Sequence, residues 1–192
     1  VGKHKCVYKT DTMNEIFIKR IPCILMSLFP ALWGMLSLLN NTADFSGTAE
    51  NAVRPLLAMT DTYGIPGQTW RAITVSWAPY AGLAVITAIE TLAGVFATIG
   101  FAKMLINLCG SYTKFSAGKN WTILGACCAV AVWGIGFMVV AGDWFMAWQA
   151  KENPLNTQLG ALIYALPSMM CLVILLCHKE SETLQTSDHT LP

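Results

Sequence analysis

The sequence predicts an all-α membrane protein: four transmembrane helices in a bundle, with a short amphipathic surface helix in the first outer loop. Three observations predict it. The 192 residues are 55% hydrophobic and only 12% charged, where a soluble domain carries about 25% charged residues. Four uncharged or nearly uncharged runs of at least 19 residues are each long enough to cross the hydrocarbon of a bilayer. The bases also divide unevenly between the two sides of those runs, as they do around membrane spans.

Residues 1–20 form a basic tail, with Lys3, Lys5, Lys9, Lys19 and Arg20 against Asp11 and Glu15. The chain begins at Val1 and a methionine follows at Met13, so two first residues are candidates for the natural protein, and its mass distinguishes them. The first span is 21–39, with Pro22 at its start and Pro30 inside, where a missing backbone donor predicts a kink. A basic tail before an apolar run also fits a signal peptide. This run is longer than a signal h-region and no A-x-A-like site follows, so it reads as a signal anchor.

The connection 40–76 is the longest, and a loop of this length has a task or is disordered. Asn40, Asn41 and Asp44 are turn formers at the exit from the membrane. Ala49, Ala52, Val53, Leu56 and Leu57 recur at helical spacing, which predicts a surface helix bent near Pro55. Residues 63–67 read as a turn, and Trp70 and Trp77 bracket the return to the membrane. The second span is 77–101, with Pro79 in its first turn and Lys103 able to snorkel beyond its end. A short turn over 109–120 follows, with Lys114 and Lys119 and no acid.

The third span, 121–140, is rich in small residues (Gly125, Ala126, Ala129, Gly134, Gly136), which predicts close helix packing. Its helix is expected to continue past Gly142 towards Trp148, with Asp143 at the interface. A loop with Asn153-Pro154 leads to the fourth span, 159–177, which Pro167 should kink. The membrane domain is therefore 21–177, and the polar tail 178–192 reads as disordered.

With both termini in the cytoplasm, nine of the twelve Lys and Arg residues lie inside, and only Arg54, Arg71 and Lys151 lie outside. The positive-inside rule selects that orientation. Asp44, Glu50, Asp61, Asp143 and Glu152 then cluster on the outer side. Equal depth suggests an Arg71–Asp143 pair.

Glu90 is the one charge within 77–101. An acid at mid-membrane costs roughly 2.5–3.5 kcal/mol on insertion scales, so it faces a bundle interior or a cavity. At helical spacing it shares a face with Thr87, Ala93, Gly94 and Ala97, small or hydroxyl residues that admit a neighbouring helix. It is either a protonatable or cation-coordinating carboxyl in a pathway, or a hydrogen-bonded anchor between helices. The second reading is the more ordinary one.

Several chemistries find no support. The three histidines, His4, His178 and His189, lie in tails or at a membrane edge, which leaves no haem ligand pair. The seven cysteines form no C-x-x-C, so neither zinc nor a disulfide framework is indicated, and they read as small hydrophobes. Asp44, Asp61 and Asp143 would need to converge to hold a metal, and capping, turn and ion-pair roles explain them more simply. There is no G-x-S-x-G, P-loop or G-x-G-x-x-G. A net charge of +1 suggests no nucleic-acid partner. No enzyme, cofactor or metal is expected.

Some segments carry a resemblance. N-N-x-x-D (Asn40, Asn41, Asp44), M-x-D (Met59, Asp61), W-R-A-I (Trp70–Ile73), the mid-span Glu90 and the run Gly136–Gln149 resemble a bacterial family of predicted small integral membrane proteins, classed as a domain of unknown function. The resemblance covers about 17–178, and 136–149 is its most specific part. Family members often carry Glu where this chain has Asp143. The resemblance implies four spans in a bacterial inner membrane and no particular reaction.

The expected function is that of a non-enzymatic accessory, assembly or scaffold protein. It would act on other membrane proteins or on a second copy of itself. Glu90 would anchor the bundle, and Asn40, Asn41, Asp44, Asp61, Trp70, Arg71, Asp143, Trp144, Trp148 and Gln149 would form one outer-side patch. The alternative is a small proton- or cation-linked permease using Glu90, although four spans without an internal repeat are few for a transporter.

Overall fold

The computed structural model describes residues 3–151 and 156–180, with side chains from Asn14 onward. Among the described residues it is helical and has no strand. The elements, in chain order, are α1 (Lys3–Ala43), α2 (Phe45–Thr48), a π-helical turn (Ala49–Val53), α3 (Arg54–Leu57), α4 (Pro66–Thr69), α5 (Ala78–Ile106), α6 (Tyr112–Val130), a π-helical continuation (Ala131–Trp144), a 3-10 turn (Ala147–Gln149) and α7 (Asn156–Cys177). Four stretches are long and apolar enough to cross a membrane: Asn14–Ala43, Ala78–Ile106, Tyr112–Trp144 and Asn156–Cys177. Each extends beyond the apolar run that marks it in the sequence.

The four long helices alternate in direction, so the bundle has a loop end, with 44–77 and 145–151, and a termini end. α5 is its centre and packs along α1 on one side and α6 on the other, while α7 closes the ring against α1, α6 and 131–144. The sequence explains that centrality. Thr87, Glu90, Ala93, Gly94, Ala97 and Gly100 all face inward on α5. Lipid tails are as apolar as leucine, so helices associate in a bilayer through close contact and interhelical hydrogen bonds. A methyl group on Gly34 of α1 would run into Gly94 N and would lie 2.5 Å from the Glu90 carbonyl oxygen. On the other side, one on Gly100 would lie 2.5 Å from Thr122 N. Towards the termini end Cys23, Met104, Phe115, Ala126, Cys171 and Leu175 fill the centre.

The surface helix of the first loop is present as the continuous stretch 45–57. Asp44 caps it by accepting from Gly47 N at 2.9 Å. Ala49 and Val53 pack on Leu83 of α5, with Phe45 and Leu57 beside them. Its apolar face is thus docked on the bundle rather than laid freely on the membrane. Glu50 and Arg54, four residues apart, form a two-bonded ion pair, and Arg54 Nη2 also donates to Ser76 O at 3.1 Å. The long connection is therefore tied down at both ends.

Three local expectations change. Asn40 and Asn41 do not end the first helix, which continues to Ala43, because Asn41 has a partner across the interface. The turn between the second and third spans is short, and Lys114 and Lys119 lie on α6. The third long helix stops at Trp144 instead of reaching Trp148. Met146 takes a left-handed backbone (φ 55°) that turns the chain, and Gln149 is bound elsewhere. Glu152, the Asn153-Pro154 loop and the tail 181–192 lie outside the described residues.

Candidate functional site

Glu90 is 2% exposed, on the α5 face that meets α1. Asn41, about two turns beyond Gly34 on α1, donates its Nδ2 to Glu90 Oε2 at 2.8 Å. The Gly34–Gly94 contact sets the spacing that lets this bond form. Glu90 also lines a cavity of about 10 Å³, with Trp33, Trp133, Tyr164 and Ser168 among its walls. That is room for about one water. Tyr164 lies between Trp33, at 3.6 Å between ring centroids, and Trp133, at 4.3 Å. An amide donor therefore holds this buried acid behind an aromatic wall.

The other residues of the expected outer patch separate into distinct places. Asn40 is exposed and lines a lateral groove between α1 and Tyr164 of α7. Asp44 is the helix cap described above, and Asp61 is exposed on the loop. Two clusters hold the remainder. In the first, Gln149 is 2% exposed, accepts from Tyr63 N at 3.2 Å and donates to Gln68 Oε1 at 2.9 Å, while Trp148 meets the Tyr63 ring edge-on at 6.0 Å. In the second, Trp70 meets Trp144 edge-on at 6.0 Å, and the Arg71 guanidinium lies 5.1 Å over the Trp144 ring. Residues 62–71 are thereby clasped onto 144–149.

Arg71 and Asp143 share a pocket with Trp144, but no ion pair within 4.0 Å joins them. Arg71 instead stacks on Trp144 and donates Nε to Gln68 O at 3.2 Å. Asp44, Asp61 and Asp143 do not converge, and among the described residues no three His, Cys, Asp or Glu side chains stand close enough to share a metal ion. Arg54 holds the Glu50 carboxyl down at about 2, so this pair stays charged through the physiological range.

A further cluster, at the termini end, escaped the sequence reading. Arg20 is 2% exposed and uses all three guanidinium nitrogens. Nε and Nη2 donate to Glu180 at 2.7 and 2.9 Å. Nη1 donates to the carbonyls of Asn107, Leu108 and Gly110 at 3.0, 2.9 and 2.7 Å. These carbonyls lie at the C-terminal end of α5, where backbone acceptors have lost their helical partners and the dipole favours a cation. The Phe115 ring sits 4.6 Å under the guanidinium. Beside it Lys119 Nζ donates to His178 O at 2.8 Å, and His178 Nε2 is 3.8 Å from Glu180. Burial and the Lys119 charge push His178 below the usual histidine range. The available signal was that Arg20 and Glu180 sit at equal depth on the termini side, each one to three residues from an apolar run.

The fold and these sites define a small integral membrane protein with four candidate spans, held together by close small-residue contacts and buried polar pairs. Residues 19–178 match the family described as predicted small integral membrane protein (DUF2165), and the chain belongs to that family. No curated protein and no solved structure is detectably similar.

Proposed function

We propose that this is a non-enzymatic inner-membrane protein of bacterial type that acts by holding another membrane protein through its loop end, with both termini in the cytoplasm. The observation that carries the reading is the state of the long loop. It is folded and pinned by Asp44, Arg54, Gln68 and Gln149, yet it presents Tyr63, Ile65 and Trp70 to the outside, Trp70 at 72% exposure. Ordering such a segment has an entropic cost, and a rigid surface bearing aromatic side chains is what a partner site needs. The uneven distribution of Lys and Arg supports the orientation.

A photoreactive residue in place of Ile65, introduced in living cells, tests it. The expected result is a crosslink to one recurrent membrane protein, lost when Trp70 is changed to serine. Crosslinks to lipid alone would overturn the reading. One observation favours a second function, a proton- or cation-linked permease: Glu90 is acidic, buried and free of any basic partner among the described residues. Glu90→Gln separates the two. A partner protein keeps its complex with this isostere, whereas a permease folds normally and loses pH-dependent flux in vesicles.

A further inference from the structure

Two features of the loop end play no part in the partner reading. The first is an apolar groove of about 470 Å³ between the surface helix, the start of α5 and the π-helical part of the third span. Leu57, Trp77, Val85, Gly136 and Phe137 line it. The second is the pocket that Arg71, Asp143 and Trp144 share. Val140 and Phe145 line both, so groove and pocket adjoin. At its polar end a cation and an anion stand in one pocket without an ion pair within 4.0 Å. The Arg71 guanidinium spends one donor on Gln68 O and rests on Trp144, and the Asp143 side chain is exposed.

This is the complement of a zwitterionic lipid: a site for a phosphate, a site for an ammonium and an apolar slot below them. We propose that groove and pocket bind one phospholipid whose headgroup carries a primary ammonium, a phosphatidylethanolamine-type lipid. Arg71 receives the phosphate, because its planar fork matches the phosphate oxygens. Asp143 accepts from the ammonium N–H groups. Trp144 flanks the headgroup at the level where indoles prefer to sit, and an acyl chain lies in the groove. A headgroup with net negative charge would face Asp143 repulsion, and a quaternary ammonium would offer Asp143 no hydrogen.

Native mass spectrometry of the purified, delipidated full chain tests the site, with titration by phosphatidylethanolamine, phosphatidylglycerol and phosphatidylcholine. The site predicts one retained phosphatidylethanolamine per protomer, favoured about tenfold over the other two, as one charge-assisted hydrogen bond would give. Asp143→Asn should abolish that preference, and Arg71→Gln should weaken retention of all three. Gly136→Leu should expel the lipid, because a side chain there projects into the groove, with no atom beyond its own helix turn closer than the 3.7 Å of Ala131 O. Equal retention of the three lipids by the unmodified protein, an annular lipid only, would overturn the proposal without needing any variant. Preference that survives Asp143→Asn, or binding that survives Gly136→Leu in a folded protein, would also overturn it. Because the test uses the isolated chain, its outcome is independent of whether a protein partner exists.

Discussion

Replacing Arg20 with methionine removes a charge that five hydrogen bonds hold in place. Methionine keeps much of the apolar stem and loses the fork. The Glu180 side chain, 4% exposed, would then be left with His178 at 3.8 Å as its nearest basic group. Breaking a buried ion pair from one side costs about 3–5 kcal/mol, since an uncompensated charge remains. The three carbonyls lose a net contribution of about 0.5–1.5 kcal/mol each at most, and less where water replaces the guanidinium. Gly110 is exposed, so its carbonyl recovers most of its loss. A total of about 4–7 kcal/mol follows. Adding Glu180→Gln neutralises the stranded acid, so the double variant should cost only about 1–2 kcal/mol. Reversible unfolding in mixed micelles, followed by circular dichroism, measures both. A single variant that costs less than about 1 kcal/mol would place the pair among ordinary surface ion pairs and refute the reasoning. A double variant as unstable as the single one would refute the part assigned to Glu180.

Three other outcomes are expected. Gly34→Ala should cost about 1–3 kcal/mol by forcing α1 off α5, despite the gain in helix propensity, while Gly160→Ala, with no neighbour within 4 Å, should not destabilise; melting temperatures compare them. His178 is held neutral by burial and by Lys119, with Arg20 adding to that effect and Glu180 opposing it. As pH falls through about 6.5, the unfolded chain takes up a proton that folded His178 does not, so stability should fall and then level off below the folded value. His178→Gln should flatten that part of the pH–melting curve, and an unchanged curve would remove His178 as its cause. Finally, single cysteines at the exposed positions of Asp61 and Asp143, in a chain whose own cysteines are replaced, should react with a membrane-impermeant maleimide from outside the cell. Labelling only after permeabilisation would reverse the orientation.

The spans were legible because a bilayer imposes one simple demand, about twenty apolar residues with an internally bonded backbone. Glu90 and its inward face were legible for the same reason, since one acid among apolar residues has few places to go. What escaped were pairings set by three-dimensional register. Asn41 follows an apolar run and has the profile of a turn former. Only the approach of Gly34 to Gly94 makes it the partner of Glu90. Arg20 counts as one more solvated base beside a span, and its acid lies 160 residues away. Nor does hydropathy distinguish α-helical from π-helical winding, so the change at Ala131 and the stop at Trp144 had no sequence signal. In the sequence the loop-end residues read as one patch; their division into a Gln149 clasp and an Arg71–Trp144 cluster depends on the left-handed turn at Met146.

The most direct measurement is the mass and composition of the complex that the protein forms at its natural expression level, extracted in a mild detergent. The account predicts a reproducible second membrane protein in fixed proportion, whose association is lost on changing Ile65 and Trp70 while the bundle keeps its melting temperature. A bare monomer or a homo-oligomer would contradict it and would direct attention to flux through Glu90.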